Sequence, residues 1–521
     1  MIVVKDRKAL VIKTKSPEKY TTVIPTAKHM RMKGTDLIAV PHRLDEVKVL
    51  RNLGVQAPSP IAYYYDYPGR NKPFMAQRET SSFLTMHRRA FVLNSLGTGK
   101  TLATLWAYDY LRDRGKVNKL LVVSPLSTLE RTWADEVFRN FTHLTYAVLH
   151  GDAKKRKKLL AIPHDVYIIN HDGLGVIKDE LAKRDDIDIV IVDEIAQCGR
   201  NASTTRWKTL NSVVNDKKIS RIAWGLTGTP TPNAPTDAWA QCKLLAPDNV
   251  PPYFNKFKDM VMRQAGPFTW IARPSAVDTV QRVMQPAIRF TRDECIDLPP
   301  CMFETREVQL SDKQKVAYAE MLKSLKTEIA GGQVLAVNEA VKLSKLVQIA
   351  CGVAYDTQGE EVCIGAEHRL EVMNEVIEAS EAKVIIFVPF RSSVTLVVNN
   401  LEAQGHRVGV IHGGVSKNVR DETFRSFMTQ DDMRVLVAQP AAMSHGLTLT
   451  SANTIIWFAP VTSNETFEQA NGRITRPGQK NNQFIVMLEG TPVERRIYER
   501  LKNKQKLQGS LLDLVQEENV I

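Results

Sequence analysis

The sequence predicts an α/β protein: two parallel-sheet lobes, a helical accessory segment between them and a small N-terminal module. Three observations carry this. Nearly continuous Val- and Ile-rich runs recur through both halves, helical stretches lie between them, and Pro-Pro pairs break the pattern mid-chain. Such runs read as strands buried on both faces of a parallel sheet, whose crossovers are usually helices.

In the first half the runs are Phe91-Val92-Leu93, Leu120 to Val123, Val166 to Ile169, Ile189 to Val192 and Ile222 to Leu226. In the second they are Val384 to Val388, Val408 to Ile411, Val435 to Ala438, Thr454 to Phe458 and Phe484 to Leu488. Leu102 to Arg112 and Leu370 to Glu378 read as crossover helices. Residues 1–68, ending beyond Pro58-Ser59-Pro60, form the N-terminal module, and 69–245 the first lobe. Residues 246–365 carry Pro251-Pro252, Pro299-Pro300 and a helix-rich stretch from Ser311 to Ile349, and read as linker and accessory helices. Residues 366–500 form the second lobe and 501–521 a C-terminal helical tail.

The 521 residues are 43% hydrophobic and 24% charged, a globular composition that excludes wholesale disorder and fibrous repeats. Seventy Lys and Arg against 57 acids give a net charge of +13, which favours a polyanionic partner. The six cysteines contain no C-x-x-C pair, so they read as reduced thiols, neither a zinc knuckle nor a disulfide framework. No apolar signal-peptide core and no run of about 18 apolar residues is present, so a soluble intracellular protein without a membrane partner is expected. Lys154-Lys155-Arg156-Lys157-Lys158 reads first as a solvated helix start and second as a phosphate-contacting patch.

Gly97-Thr98-Gly99-Lys100-Thr101 follows a strand and opens a helix. Backbone N–H groups of such a loop cradle phosphates, with Lys100 reaching the β/γ-phosphates and the Thr101 hydroxyl holding Mg²⁺. The full pattern has glycine at position 94, where this chain has Asn94. Asp193-Glu194 ends the run Ile189 to Val192, where open α/β sheets bind ligands. Asp193 suits Mg²⁺ and Glu194 the attacking water, so the pair with the loop reads as an NTP hydrolysis site.

In this order the motifs resemble a superfamily 2 helicase or translocase, closest to the Swi/Snf-like branch, over residues 71 to 500. The resemblance implies two RecA-like lobes with ATP and Mg²⁺ between them. It makes Gln77 the adenine reader. Ser124-Pro125-Leu126-Ser127 and Asn170-His171-Asp172-Gly173 resemble strand-contacting loops, and Thr227-Gly228-Thr229-Pro230 the loop coupling hydrolysis to movement. Phe387 to Phe390, His412-Gly413-Gly414 and Gly446-Leu447-Thr448-Leu449 follow in the family's order.

Gln469-Ala470-Asn471-Gly472-Arg473-Ile474-Thr475-Arg476-Pro477-Gly478-Gln479 is the most specific match in the second half. Gln469 falls with the coupling residues. Arg473 and Arg476, three apart, would share a helix face and act as arginine fingers. Ala196 stands where the branch usually has His, Ala459 where it has Asp and Thr448 where it has Asn, while Arg200-Asn201 keeps the pattern. His171, His412 and His445 read as hydrogen-bonding or nucleic-acid contacts. Trp133, Trp207, Trp224 and Trp457 read as core or lobe-packing residues, and Gln314 with Tyr318 as packing the accessory helices onto the second lobe.

The expectation is an ATP-dependent nucleic-acid motor, a double-stranded DNA translocase or helicase, in the cytoplasm of a bacterial or virus-infected cell. An RNA helicase is the alternative within the class. A DNA-binding scaffold using ATP as a switch is the alternative outside it.

Overall fold

A computed structural model describes residues 1–70, 72–266, 270–295, 299–330, 344–355, 361–443, 448–476 and 478–503. The chain divides into two compact units, Met1–Ile296 and Asp297–Ile521.

The first unit opens with a four-stranded antiparallel sheet in the order Ile2–Val4, Ala9–Lys13, Thr35–Pro41, Lys28–Met32. Alternation turns Leu10, Ile12, Ile38 and Val40 to one face, where Val47 and Leu50 of helix Leu44–Asn52 join the same core. Helix Met75–Met86 leads into a seven-stranded sheet. Its order is Ala287–Ile288, Arg89–Val92, Ile222–Leu226, Ile187–Asp193, Lys119–Ser124, Val166–Asn170 and Tyr146–Val148, parallel throughout. Both faces are buried. Leu121, Val123, Val190 and Val192 enter one core layer, and Leu120, Val122, Ile189 and Ile191 the other. That is why these strands lack the alternation of a half-exposed sheet.

The second unit holds a six-stranded parallel sheet in the order Cys301–Glu307, Gln483–Glu489, Ala452–Trp457, Lys383–Phe387, Val435–Ala438, Val408–Ile411. Tyr318 is buried in its core, and Gln314 Nε2 donates to the carbonyls of Ile349 (3.1 Å) and Ala350 (3.0 Å). Arg369 of helix Glu367–Ala379 and Glu494 of helix Pro492–Lys502 form a fully buried ion pair at 2.8 Å.

Three edge strands differ from the expected set. Tyr146–Val148 and Ala287–Ile288 are too short to leave a periodic signal, and Cys301–Glu307 interleaves charge on an exposed edge. The segment 246–365, read as linker and accessory helices, thus supplies an edge strand to each of the two parallel sheets. Part of the helix expected from Ser311 to Ile349, and the tail from 504, lie outside the described residues. Among the described residues no helix is long and apolar enough to cross a membrane.

Candidate active site

Three neighbouring parallel strands of the first unit, Arg89–Val92, Ile222–Leu226 and Ile187–Asp193, release three loops at the same sheet end. These are the phosphate loop, Thr227-Gly228-Thr229 and Asp193-Glu194. Gly97 (φ 82°) and Gly99 (φ 76°) take left-handed conformations that only glycine adopts without strain. Gly99 then caps helix Lys100–Asp113. A Cβ on Gly99 would lie 2.0 Å from Gln77 Nε2, so Gln77 rests directly on the loop. Thr98 is buried, its hydroxyl donating to the Ser95 carbonyl (2.9 Å), and Thr101 sits in the first helical turn.

Lys100 Nζ donates to the carbonyls of Asn94 (2.9 Å) and Ser95 (3.2 Å). A Cβ on Gly228 would stand 3.5 Å from Leu96 N and 3.6 Å from the Asn94 carbonyl oxygen, so Thr227-Gly228-Thr229 packs on the same loop. Thr227 is fully buried and its hydroxyl accepts from the Thr229 N–H at 3.2 Å.

Asp193 is buried at its strand end, which pushes its pKa up; Trp133, Lys100 and the Glu194 N–H oppose that shift. Trp133 Nε1 donates to Oδ2 (2.9 Å) and the Glu194 N–H to Oδ1 (3.1 Å). Glu194 has φ 49° and ψ 51°, a left-handed conformation costing a non-glycine residue about 1–3 kcal/mol and concentrated at functional sites. His171 Nε2 donates to the Asp193 carbonyl (3.0 Å), and burial holds its pKa down to about 4, so it is neutral near pH 7.

The expected strand-contacting residues divide. Ser124 is fully buried, bonded to Thr128 and 3.4 Å from Asp193 Oδ2, so its side chain supports Asp193 and does not reach the surface. Pro125 is also buried, leaving Leu126 and Ser127 as the exposed part of that loop. Asn170 accepts from Arg156 Nη1 (2.9 Å) and lies buried beneath that guanidinium.

In the second unit Gly413 is exposed, and its N–H donates to Gln439 Oε1 (3.2 Å). His412 Nδ1 accepts from the Gly414 N–H at 3.1 Å. Helix Asn464–Asn471 carries Gln469, which donates to Glu465 Oε1 at 3.1 Å. Arg473 and Arg476 were expected on one helix face, but the helix ends at Asn471 and both lie in the turns beyond. Gly472 weakens the helix there, and a proline at 477 disfavours the helical conformation just before it. The two arginines still bond adjacent residues, Thr448 and Leu449. Arg476 Nη1 donates to Thr448 Oγ1 (3.1 Å), and the Leu449 N–H to the Arg473 carbonyl (3.0 Å). His445, Gly446, Leu447 and Pro477 lie outside the described residues.

Two supports of the site were not anticipated. Trp133 is fully buried, as a core residue is, and its indole N–H donates to Asp193. Asn94, noted as a departure from the loop pattern, is buried and bonded at both ends of its amide. Composition and local spacing give no signal for either partner.

The SNF2-related domain model matches residues 74–355, more than half of the chain, and the helicase conserved C-terminal domain model matches 368–478. Putative protein p41 of Acyrthosiphon pisum secondary endosymbiont phage 1 is 24% identical over 461 residues, covering 82% of this chain and 95% of that protein. The ISWI chromatin-remodeling complex ATPase ISW1 of Saccharomyces cerevisiae is 24% identical over 466 residues, 84% of this chain but 40% of the yeast protein. This chain therefore spans well under half of that larger relative. Among solved structures, the Sulfolobus solfataricus SWI2/SNF2 ATPase core in complex with dsDNA shares 23% identity at a TM-score of 0.40, covering 84% of this chain and 92% of that one. With a glycine-rich loop and an acidic pair on the two strands that flank Ile222–Leu226, and a family model over most of the first unit, the chain belongs to the SNF2-related family of helicase-type ATPases.

Proposed function

We propose that the chain hydrolyses ATP to move along duplex DNA. The carrying observation is the convergence of Lys100, Thr101, Asp193 and Glu194 on one sheet end, with Gln77 seated on the same loop. Gln77 reads the adenine, and the backbone of Gly97, Thr98 and Gly99 with Lys100 binds the phosphates. Glu194 accepts the proton of the attacking water. Arg473 and Arg476 of the second unit stabilise charge developing on the transferred phosphoryl group.

The Thr101 hydroxyl and the Asp193 carboxylate would hold Mg²⁺, whose charge neutralises phosphate oxygens when bound. The donor set fits: both are hard oxygen ligands, and Mg²⁺ keeps most of its coordination for water and phosphate.

Nucleic acid is gripped through loops at Pro125, Asn170, His412, Gly413 and Thr448. Ser124 acts behind the first of these. Thr227, Gly228, Thr229 and Gln469 couple hydrolysis to movement. Duplex DNA is preferred to RNA because the match is to the SNF2-related branch and the yeast relative is by name a chromatin-remodelling ATPase. The setting is the cytoplasm of a bacterial or virus-infected cell, in keeping with the phage relative. Steady-state ATPase with duplex DNA, single-stranded DNA and RNA of equal length tests the reading. Strongest stimulation by duplex DNA supports it, stronger stimulation by RNA makes the chain an RNA helicase, and no turnover with any polymer makes it an ATP-switched scaffold.

A further inference from the structure

The first residue of the phosphate loop, Asn94, joins three segments. It is 2% exposed. Its Nδ2 donates to Thr80 Oγ1 at 2.9 Å, and its Oδ1 accepts the Phe290 N–H at 3.0 Å. Beside it, the Ser95 N–H donates to the Phe290 carbonyl at 2.9 Å. The amide orientation follows from its partners. A backbone N–H needs an acceptor facing it, so Oδ1 must lie towards Phe290 and the NH₂ towards Thr80. The Thr80 hydroxyl has already given its proton to the Ala76 carbonyl at 2.7 Å, so towards residue 94 it can only accept. Glycine at this position would make neither bond. Aspartate would set a carboxylate against a hydroxyl with no proton to give.

Thr80 lies about one turn along helix Met75–Met86 from Gln77, which rests on Gly99 and whose Oε1 accepts the Phe74 N–H at 3.0 Å. The helix that carries Gln77 therefore meets the phosphate loop at two points: Gln77 on Gly99 at the loop's end, Asn94 on Thr80 at its start. Two points leave the helix free to turn only about the line that joins them, where one would leave a full pivot. A nucleotide held by its phosphates presents its base at a set distance. Discrimination between bases then depends on where Gln77 is held.

We propose that Asn94, through Thr80, is a positioning residue that sets nucleotide base specificity by locking the Gln77 helix in register with the phosphate loop. This rests on the reading of Gln77 as the adenine contact. It predicts an effect on base choice and not on phosphate handling. The asymmetry separates the proposal from a general loosening of the loop.

The experiment measures kcat and KM for ATP and for GTP in the full chain with Thr80→Val, Thr80→Ser, Asn94→Ala and Gln77→Ala. Thr80→Val removes the acceptor with little change of volume. It is expected to raise KM for ATP about tenfold, the loss of one well-placed hydrogen bond, with KM for GTP and kcat for ATP within about threefold of wild type. Thr80→Ser keeps the hydroxyl and should restore the preference for ATP. Asn94→Ala should shift the ratio of the two KM values in the same direction as Thr80→Val, and a fall in its melting temperature does not affect that ratio. Parallel rises in both KM values, or an unchanged preference in Thr80→Val, would overturn the proposal. If Gln77→Ala keeps the full preference for ATP, the reading of Gln77 itself fails. If Gln77→Ala loses it and Thr80→Val keeps it, only the role of Asn94 and Thr80 fails.

Discussion

Trp133 donates its indole N–H to Asp193 Oδ2 across 60 residues of sequence, at 2.9 Å in a fully buried setting. The bond counters the cost of burying a carboxylate, and it aims the carboxylate from behind. Trp133→Phe keeps most of the ring and removes the donor. Burial already pushes the Asp193 pKa up and Trp133 holds it down, so losing Trp133 must raise it further. A higher pKa means less carboxylate at a given acidic pH. The acid limb of the pH–kcat profile should therefore move to higher pH, with kcat on the plateau reduced about tenfold or less. An unmoved acid limb would show that Asp193 ionisation does not govern turnover.

The parts of this molecule that were legible in the sequence are local or doubly buried. The run from Ile189 to Val192 reads as a central strand because both its faces are covered, so every residue in it is apolar. The phosphate loop is legible because glycine, lysine and threonine must sit side by side. The bonds from Asn94 span 14 residues to Thr80 and 196 to Phe290, and no local pattern encodes such pairings. Arg473 and Arg476 fail differently. Their spacing suits a helix, but Gly472 and the proline at 477 remove the helix from under them.

Lys100→Ala should abolish measurable hydrolysis while leaving the fold intact, since the side chain is only partly buried and bonds two carbonyls of its own loop. Retention of more than about a tenth of wild-type turnover would sink the phosphate-binding role. Glu194→Gln should still bind ATP but turn it over very slowly, because an amide cannot accept the proton of water. Equilibrium binding of a fluorescent ATP analogue beside single-turnover hydrolysis separates the two effects.

Arg473→Ala and Arg476→Ala should each lower kcat by about a thousandfold or more with little change in ATP affinity, as for groups that act on transition-state charge. Arg476 is oriented by Thr448, so Thr448→Ala should give a weaker form of the Arg476→Ala defect. In the double variant the two losses should not add, since neighbours in one network couple. Additive losses in kcat would place Thr448 in an independent role.

The Arg369–Glu494 pair joins two helices of the second unit, and the Gly490 N–H (2.9 Å) and Thr491 hydroxyl (3.2 Å) also bond Glu494 Oε2. Arg369→Met leaves a buried carboxylate without its cation and should destabilise this unit by about 3–5 kcal/mol. Arg369→Met with Glu494→Leu removes both charges and should recover much of that loss. Hydrogen exchange in helices Glu367–Ala379 and Pro492–Lys502 reads the local change. A double variant no more stable than Arg369→Met would mean that the pair's hydrogen bonds, and not its charges, hold the helices.

With a net charge of +13, the chain should grip DNA largely through phosphates, and each phosphate neutralised adds about −0.9 to the slope of log affinity against log salt for B-DNA. The duplex concentration giving half-maximal ATPase should therefore climb steeply with salt. Base composition should matter little, because backbone contacts position a protein without specifying sequence. RNA duplex of equal length should stimulate less, since the A-form presents its phosphates and grooves with a different spacing. The structure adds a discriminating pair. Ser124 is buried behind Asp193 while Ser127 of the same loop is exposed. Ser127→Glu should raise the half-saturating DNA concentration at low salt and leave basal turnover alone. Ser124→Ala should lower basal turnover with little effect on DNA affinity. A reversal of those two phenotypes would mean that the loop binds DNA through Ser124 in a conformation other than this one.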